Sequence, residues 1–199
     1  MSTTSSPARA PSCDPNVQGD QDTARAFADA WHRRTGATVT LRRRQRLYRL
    51  GTLTVPQPVP PGRARIAEKT DRARLADWYR EFSEAVGEPV FQDPAVWADD
   101  RVARGDVTFW ETPDGEPVSM AALSPRVAGQ IRVTHVYTPT ALRGRGYAGV
   151  ATAEATRAAR EGGAQEVLLF TDLANPTSNA LYQRIGYRPV ADFAVYDFE

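Results

Sequence analysis

Cysteine, lysine and long apolar runs are scarce in this chain of 199 residues. Its single cysteine, Cys13, excludes an intramolecular disulfide and fits a reducing, cytoplasmic setting. Its single lysine, Lys69, lies far from any glycine-rich segment, which excludes the phosphate loop Gly-x4-Gly-Lys-Ser/Thr. No stretch approaches the roughly twenty apolar residues of a membrane span, and the polar N-terminus lacks the apolar core of a signal peptide. We therefore expect a soluble, cytoplasmic protein without a membrane partner.

Charge is unevenly distributed along a chain whose net charge is only +1. Residues 1–75 carry 14 Lys/Arg against 6 Asp/Glu, whereas residues 76–199 carry 11 against 18. Much of the basic excess is arginine within residues 33–49. This split predicts either a polyanionic partner such as tRNA, bound by the segment 33–49, or ion pairing between the two halves of one fold. The near cancellation of charge favours the second interpretation.

The first third of the chain differs in composition from the rest. Residues 1–21 are rich in Ser, Thr and Pro and predict a disordered tail. Residues 22–62 predict an N-terminal extension that ends in a stiff, proline-rich linker. Within the extension we expect a helix capped by Asp22 or Thr23 and stopped by Gly36, a strand over 38–50, and a short returning strand over 51–55.

From residue 63 onward, hydrophobic periodicity and turn residues predict the order β-α-α-β-β-β-α-β-α-β. The predicted elements lie near residues 64–67, 71–83, 94–104, 107–111, 118–123, 131–137, 147–160, 167–170, 176–185 and 188–198. Three neighbouring strands without an intervening helix indicate antiparallel hairpins, and the later helix between strands indicates a parallel crossover. We therefore predict an α/β fold with a mixed central sheet, not a doubly wound one.

The most informative segment is Arg143-Gly144-Arg145-Gly146-Tyr147-Ala148, between a strand-like run and an Ala-rich helix. Glycines allow close approach of the backbone, and a helix N-terminus presents unpaired N–H groups, so this segment predicts an anion site. Gly144, Gly146 and Gly149 also fit the dinucleotide pattern Gly-x-Gly-x-x-Gly. However, Pro139 separates the strand from these glycines, and too little chain follows to complete a doubly wound sheet.

Two motifs together resemble the GNAT superfamily of acyl-CoA-dependent N-acetyltransferases. The segment 143–148 matches the family's pyrophosphate pattern Gln/Arg-x-x-Gly-x-Gly/Ala, and Asn175-Pro176-Thr177-Ser178-Asn179-Ala180-Leu181-Tyr182 resembles the motif that opens its late helix. The resemblance covers residues 63–199. Residues 23–55 resemble the final helix and strands of a shortened, degenerate first half, as in tandem members of the superfamily.

The resemblance implies acetyl-CoA as co-substrate and no metal. It places the pyrophosphate on Arg143, Gly144, Arg145, Gly146, Tyr147 and Ala148, the pantetheine arm along the main chain of Val136, Tyr137 and Thr138, and contacts to the cofactor on Asn175 and Asn179. The simpler interpretation of the two asparagines is helix capping.

The resemblance also assigns the catalytic groups. Tyr182 matches the tyrosine that protonates the departing thiolate, although it is also interpretable as a packed aromatic residue. The strand positions where many members carry a basic group, Ile131 and Val133, are apolar here. His135 is predicted to lie on their face by period two and is the candidate base; its alternative is an ordinary strand histidine. Glu111 and water are further candidates.

These expectations add up to transfer of an acetyl group from acetyl-CoA to a primary amine of a small molecule, in a ternary complex, by a monomer or homodimer. Two alternatives stay open: an acyltransferase with a tRNA-borne donor or acceptor, and a non-catalytic CoA-binding module. The acceptor carries no diagnostic motif.

Overall fold

The computed structural model describes residues 16–199, so most of the expected disordered tail lies outside the described residues. The strands are β1 (Asn16–Asp20), β2 (Val39–Leu50), β3 (Arg63–Ile66), β4 (Val107–Glu111), β5 (Pro117–Leu123), β6 (Gln130–Tyr137), β7 (Glu166–Asp172) and β8 (Tyr187–Phe198). The helices are α1 (Gln21–Thr35), α2 (Arg72–Val86), α3 (Pro94–Arg104), α4 (Tyr147–Glu161) and α5 (Pro176–Ile185). The order from β3 onward confirms the predicted α/β fold class.

The described strands form one mixed sheet in the order β1-β8-β2-β7-β6-β5-β4-β3. Two compact units share the chain: one holds the described residues up to Arg46 together with Ala191–Glu199, and the other is Leu47–Val190. The divisions fall within β2 and β8. A domain boundary at the proline-rich linker, between residues 62 and 63, stays a prediction.

In the first unit, β1 pairs antiparallel with β8, from Asn16↔Asp197 to Asp20↔Phe193. Residues 16–20 are mostly polar, and composition assigns them to the disordered tail, but backbone pairing along an edge makes few demands on side chains. Asp20 also caps α1, because its carboxylate accepts from the N–H groups of Asp22 and Thr23. The observed cap therefore lies two or three residues before the predicted one, Asp22 or Thr23.

The second unit contains the remaining elements and two clusters of buried side chains. One cluster lies on the α2 and α3 side of the strands and includes Leu75, Trp78, Trp97, Phe109 and Met120. The other lies on the α4 and α5 side and includes Tyr48, Val150, Leu169, Tyr182 and Ile185. The middle strands are accordingly buried on both faces, as the pattern of β4 and β5 illustrates.

The segment 51–55 does not form the predicted returning strand. Its backbone instead bonds to the C-terminal end of α5: Gly51 N–H donates to Gly186 O at 3.0 Å and Thr54 N–H donates to Ile185 O at 2.8 Å. Carbonyls at the end of a helix lack partners within the helix, so they compete well for the donors of a passing segment. This arrangement brings Thr52 against Gly186.

Gly186 ends α5 in the left-handed region, with φ +104°, and a Cβ there would lie 1.9 Å from Thr52 O. We predict that Gly186→Ala lowers the free energy of unfolding by about 3 kcal/mol or more, because backbone strain and a backbone clash add. The control is Gly87→Ala, which ends α2 at φ +67° with nothing within 4 Å of the added Cβ. Gly87→Ala is expected to lower the free energy of unfolding by only about 1–2 kcal/mol. Urea titration of both variants measures the difference, and equal losses would contradict the close approach.

Candidate active site

The loop Arg143–Ala148, called the glycine loop below, carries the chain from β6 into α4. Gly144 and Gly146 adopt φ +77° and +83°, a region that costs other residues about 1–2 kcal/mol. Gly146 is the N-cap of α4 and provides no side-chain cap. The two glycines therefore turn the chain while leaving the end of the helix open.

The glycine loop holds five consecutive backbone N–H groups, those of residues 144–148, that have no hydrogen-bond partner in the part of the chain that the structure describes. The first internal bonds run from Gly149 and Val150 to Gly146 O. Arg143 and Arg145 are exposed beside these donors. Unpaired N–H groups, the positive end of a helix dipole and two guanidinium groups together form a phosphate-binding arrangement.

A gap between two parallel strands opens beside the glycine loop. The pairing of β6 with β7 runs from Gln130↔Glu166 to Val133↔Leu169, although β6 continues to Tyr137 and β7 to Asp172. On its other side β6 stays paired with β5 as far as Met120↔Tyr137. Main-chain groups at the diverging ends can therefore bond to an extended ligand as a strand would. Val136 and Tyr137 lie in this part of β6, and Thr138 follows directly.

A small polar network ties the end of β6 to the glycine loop. Ser119 is fully buried, and its Oγ donates to Tyr137 O at 3.0 Å and lies 2.8 Å from Thr138 Oγ1. Arg143 Nε donates to Thr138 O at 3.0 Å. The terminal nitrogens of Arg143 make no bond to other described residues, so they stay available to an anion. Sequence reasoning missed Ser119; a lone hydroxyl within an apolar strand was the available signal.

Tyr182 lies on α5 and is 8% exposed. Its ring packs edge-on against Tyr187, with 6.2 Å between centroids. Its hydroxyl has no hydrogen-bond partner among residues 16–199, and burial raises the pKa of Tyr182 to about 12. A phenol in this state keeps its proton at neutral pH and can donate it to a developing anion.

The profile of the acetyltransferase (GNAT) family matches residues 72–187, which is more than half of the chain. The chain belongs to the GNAT acetyltransferase family. The match contains both the glycine loop and Tyr182, so it confirms the resemblance inferred from these two motifs. Comparison with curated proteins gives no match.

Solved structures support the same GNAT fold. A GCN5-related N-acetyltransferase from Kribbella flavida superposes with a TM-score of 0.67 at 24% identity, covering 92% of this chain and 67% of that protein. A GCN5-related N-acetyltransferase from Sphaerobacter thermophilus gives 0.67 at 21% identity, covering 92% and 59%. A glucosamine N-acetyltransferase region of a fungal multi-domain GH3 β-N-acetylglucosaminidase gives 0.66 at 14%, covering 96% and 25%. At these identities the superpositions establish the fold alone. The chain spans only part of the length of each of these proteins.

A β-bulge in the GNAT domain changes the expected direction of His135. Between the pairs Ala121↔Val136 and Leu123↔Val133, β6 contains one residue more than β5. The extra residue interrupts the alternation of side chains. Val133 consequently packs in the cluster on the α4 side, whereas His135 contacts rings of α2 and α3. The prediction that His135 shares a face with Ile131 and Val133 is therefore wrong.

His135 is surrounded by aromatic rings at the place where the bulge directs it. Ring centroids of Phe82, Trp97 and Tyr79 lie 5.0, 5.1 and 5.4 Å from the imidazole, all edge-on. Burial, with a smaller effect from the charge of Arg101, lowers the pKa of His135 to about 4. The imidazole is neutral at pH 7 but accepts a proton only weakly, and its role as the base stays a prediction.

Glu111, the other side chain considered as a base, is held by two arginines. Its carboxylate accepts from Arg63 Nε at 2.7 Å and Arg65 Nε at 2.5 Å, and it is 3% exposed. Hydrogen bonds from Arg63 and Arg65 lower the pKa of Glu111. The same Arg65 also binds Asp71 through both terminal nitrogens. This arrangement favours a structural ion-pair network over proton transfer.

The two asparagines of the second motif both bond within the fold. Asn175 caps α5, because its Oδ1 accepts from Ser178 N–H at 3.0 Å. Asn179 Nδ2 donates to Asp172 O at 2.8 Å and Asn175 O at 2.7 Å, and its Oδ1 accepts from Tyr48 Oη at 2.9 Å. Both donors of Asn179 are thus in use, so a contact of Asn179 with the cofactor stays a prediction that only its oxygen can satisfy.

Part of the basic segment 33–49 is paired with acids from the later half of the chain. The pairs are Arg42–Asp197, Arg46–Asp192 and Arg49–Glu166. These ion pairs match the interpretation that the basic and acidic halves of the chain neutralise each other's charge. Contact with tRNA stays a prediction. Across residues 16–199, no helix is long and apolar enough to cross a membrane, and no group of three or more His, Cys, Asp and Glu side chains is arranged to hold a metal ion.

Burial of His135 predicts an acid-sensitive fold. Its pKa is about 4 when folded and roughly 6.5 when unfolded, so protonation favours the unfolded state as pH falls through this window. Between pH 7.5 and 4.5, we expect the unfolding free energy of wild type to fall by about 2–3 kcal/mol more than that of His135→Leu. The variant has no group at this position that titrates in this range. Urea titrations of both proteins at the two pH values measure this, and parallel losses would contradict it.

Proposed function

We propose that this GNAT protein transfers an acetyl group from acetyl-CoA to a primary amine of a small molecule through a ternary complex. The observation that carries the proposal is the row of N–H groups at residues 144–148, which have no hydrogen-bond partner among residues 16–199. They lie directly beside the diverging strands β6 and β7. An anion site next to an open strand edge suits a ligand with a pyrophosphate and an extended amide-containing arm.

In the proposed complex, the glycine loop binds the pyrophosphate, with Arg143 and Arg145 adding charge. The main chain of Val136, Tyr137 and Thr138 binds the pantetheine arm. One of their N–H groups stabilises the oxyanion that forms when the amine attacks the thioester carbonyl. Asn175 and the Oδ1 of Asn179 border the cofactor.

Collapse of the tetrahedral intermediate forms the amide and breaks the bond from carbon to sulfur. Tyr182 then gives its proton to the departing thiolate, a role that fits a buried hydroxyl without a hydrogen-bond partner among the described residues. The attacking amine must lose a proton as well. Because the pKa of His135 is about 4, water is the favoured route for that proton, with His135 the alternative.

Alanine at Gly144 tests the glycine loop. At φ +77° with nothing within 4 Å of the new Cβ, Gly144→Ala strains the loop and places a methyl group beside the donors. We expect at least about tenfold weaker CoA binding by calorimetry, because one strained peptide misdirects several N–H groups. The matched control is Gly115→Ala in the hairpin turn, at φ +87° and equally open. Equal CoA affinities of Gly144→Ala and Gly115→Ala would show that the glycine loop does not bind CoA.

Release of free thiol from acetyl-CoA over a panel of amines tests the reaction and Tyr182 together. We expect Tyr182→Phe to reduce kcat by roughly 10²-fold with unchanged CoA affinity, since the ring is kept and the proton is lost. Tyr187→Phe is the control, because that hydroxyl bonds to Thr156 Oγ1 at 2.7 Å instead. Equal rates in Tyr182→Phe and wild type would exclude Tyr182 as the acid.

The same assay separates the alternatives. No turnover with any amine, together with no CoA binding, would overturn the proposal. CoA binding without turnover would instead support a non-catalytic CoA-binding module. Turnover that persists unchanged in His135→Ala would exclude His135 as the base and leave water.

A further inference from the structure

The side chain of Tyr137 connects the diverging end of β6 to α2. Its ring is 6% exposed and packs edge-on against Trp78, with 5.8 Å between centroids. Its Oη donates to Glu81 Oε2 at 2.6 Å. Burial, followed by this bond, raises the pKa of Tyr137 to about 12, so the phenol stays the donor. A buried phenol thus holds an exposed carboxylate in one place.

This pair lies close to the proposed cofactor site. Tyr137 is the last residue of β6, and its main-chain carbonyl belongs to the network that joins β6 to the glycine loop. The charges of Arg143 and Glu84 both act on the Tyr137 phenol, so the glycine loop and α2 lie within electrostatic reach of it. Glu81 therefore stands on the α2 side of the opening, one tyrosine side chain away from the strand end.

The carboxylate of Glu81 is positioned without being neutralised. One oxygen accepts from Tyr137, and no cation of residues 16–199 forms an ion pair with it. The nearest arginine in sequence, Arg80, pairs with Asp77 at 2.5 Å. By contrast, Glu111 at the end of β4 is held by two arginines. A fixed anion with one open oxygen, beside a strand end, suits a positively charged ligand.

We propose that Glu81, positioned by Tyr137, binds a positively charged group of the acceptor. The acceptor is then a cationic molecule such as a diamine, in which one amino group attacks the thioester while the other stays bound as an ammonium. This inference rests on the proposed function, and it narrows the acceptor from any primary amine to one that carries a second positive charge.

Binding calorimetry with CoA-saturated protein tests the proposal without requiring turnover. The probes are 1,5-diaminopentane and 1-aminopentane, which share a chain length and differ by one ammonium group. We expect wild type to bind the diamine at least tenfold more tightly than the monoamine. Glu81→Gln loses most of this preference, because the amide keeps the shape of the side chain but not its charge. Tyr137→Phe keeps the charge and shows an intermediate loss, because the carboxylate is no longer fixed.

The matched control is Glu84→Gln. Glu84 lies about one helical turn from Glu81 on α2 and carries the same charge, but it does not bond to Tyr137. We expect Glu84→Gln to retain the preference for the diamine, and both glutamate variants to retain CoA affinity. Equal binding of the two probes by wild type, or equal losses in Glu81→Gln and Glu84→Gln, would overturn the inference. Failure of the proposed function looks different, because wild type would then either bind no CoA or bind CoA without releasing thiol from acetyl-CoA with any amine.

Discussion

The separation of β6 from β7 after four paired positions is the constraint on which the rest of the site depends. Parallel strands normally continue side by side, so the diverging end of β6 needs another support. Here β6 stays bound to β5, and the buried hydroxyl of Ser119 holds its last carbonyl. Without these bonds the free end of β6 could close onto β7, and main-chain groups would pair with each other instead of with a ligand.

The candidate site is built mainly from the backbone. Its anion donors are amides, and the nearby side chains mostly hold the backbone in place: Ser119 and Thr138 at the end of β6, Arg143 across the loop, and Asn179 between β7 and α5. Such a design tolerates changes of side chain while keeping the donors in position.

Features encoded locally were predictable from the sequence. The order of helices and strands follows from hydrophobic periodicity, and two glycines directly before a predicted helix indicate the glycine loop. The direction of His135 was not predictable, because period two assumes an unbroken ladder and the bulge depends on the register with β5. The strand at residues 16–20 and the irregular segment 51–55 were missed for a similar reason. In both, the partner that fixes the backbone is far away in the chain.

Tyr48 has a consequence for where this domain begins. It lies on β2, before the region that matches the family, yet it is fully buried and bonds through Oη to Asn179 Oδ1 and Gln183 Nε2. Shortening the chain to the matched region would leave an empty space the size of a phenol ring and free the asparagine that secures α5. The part of β2 from Leu47 onward therefore belongs to the same compact unit as the candidate site, although it precedes the region that matches the family.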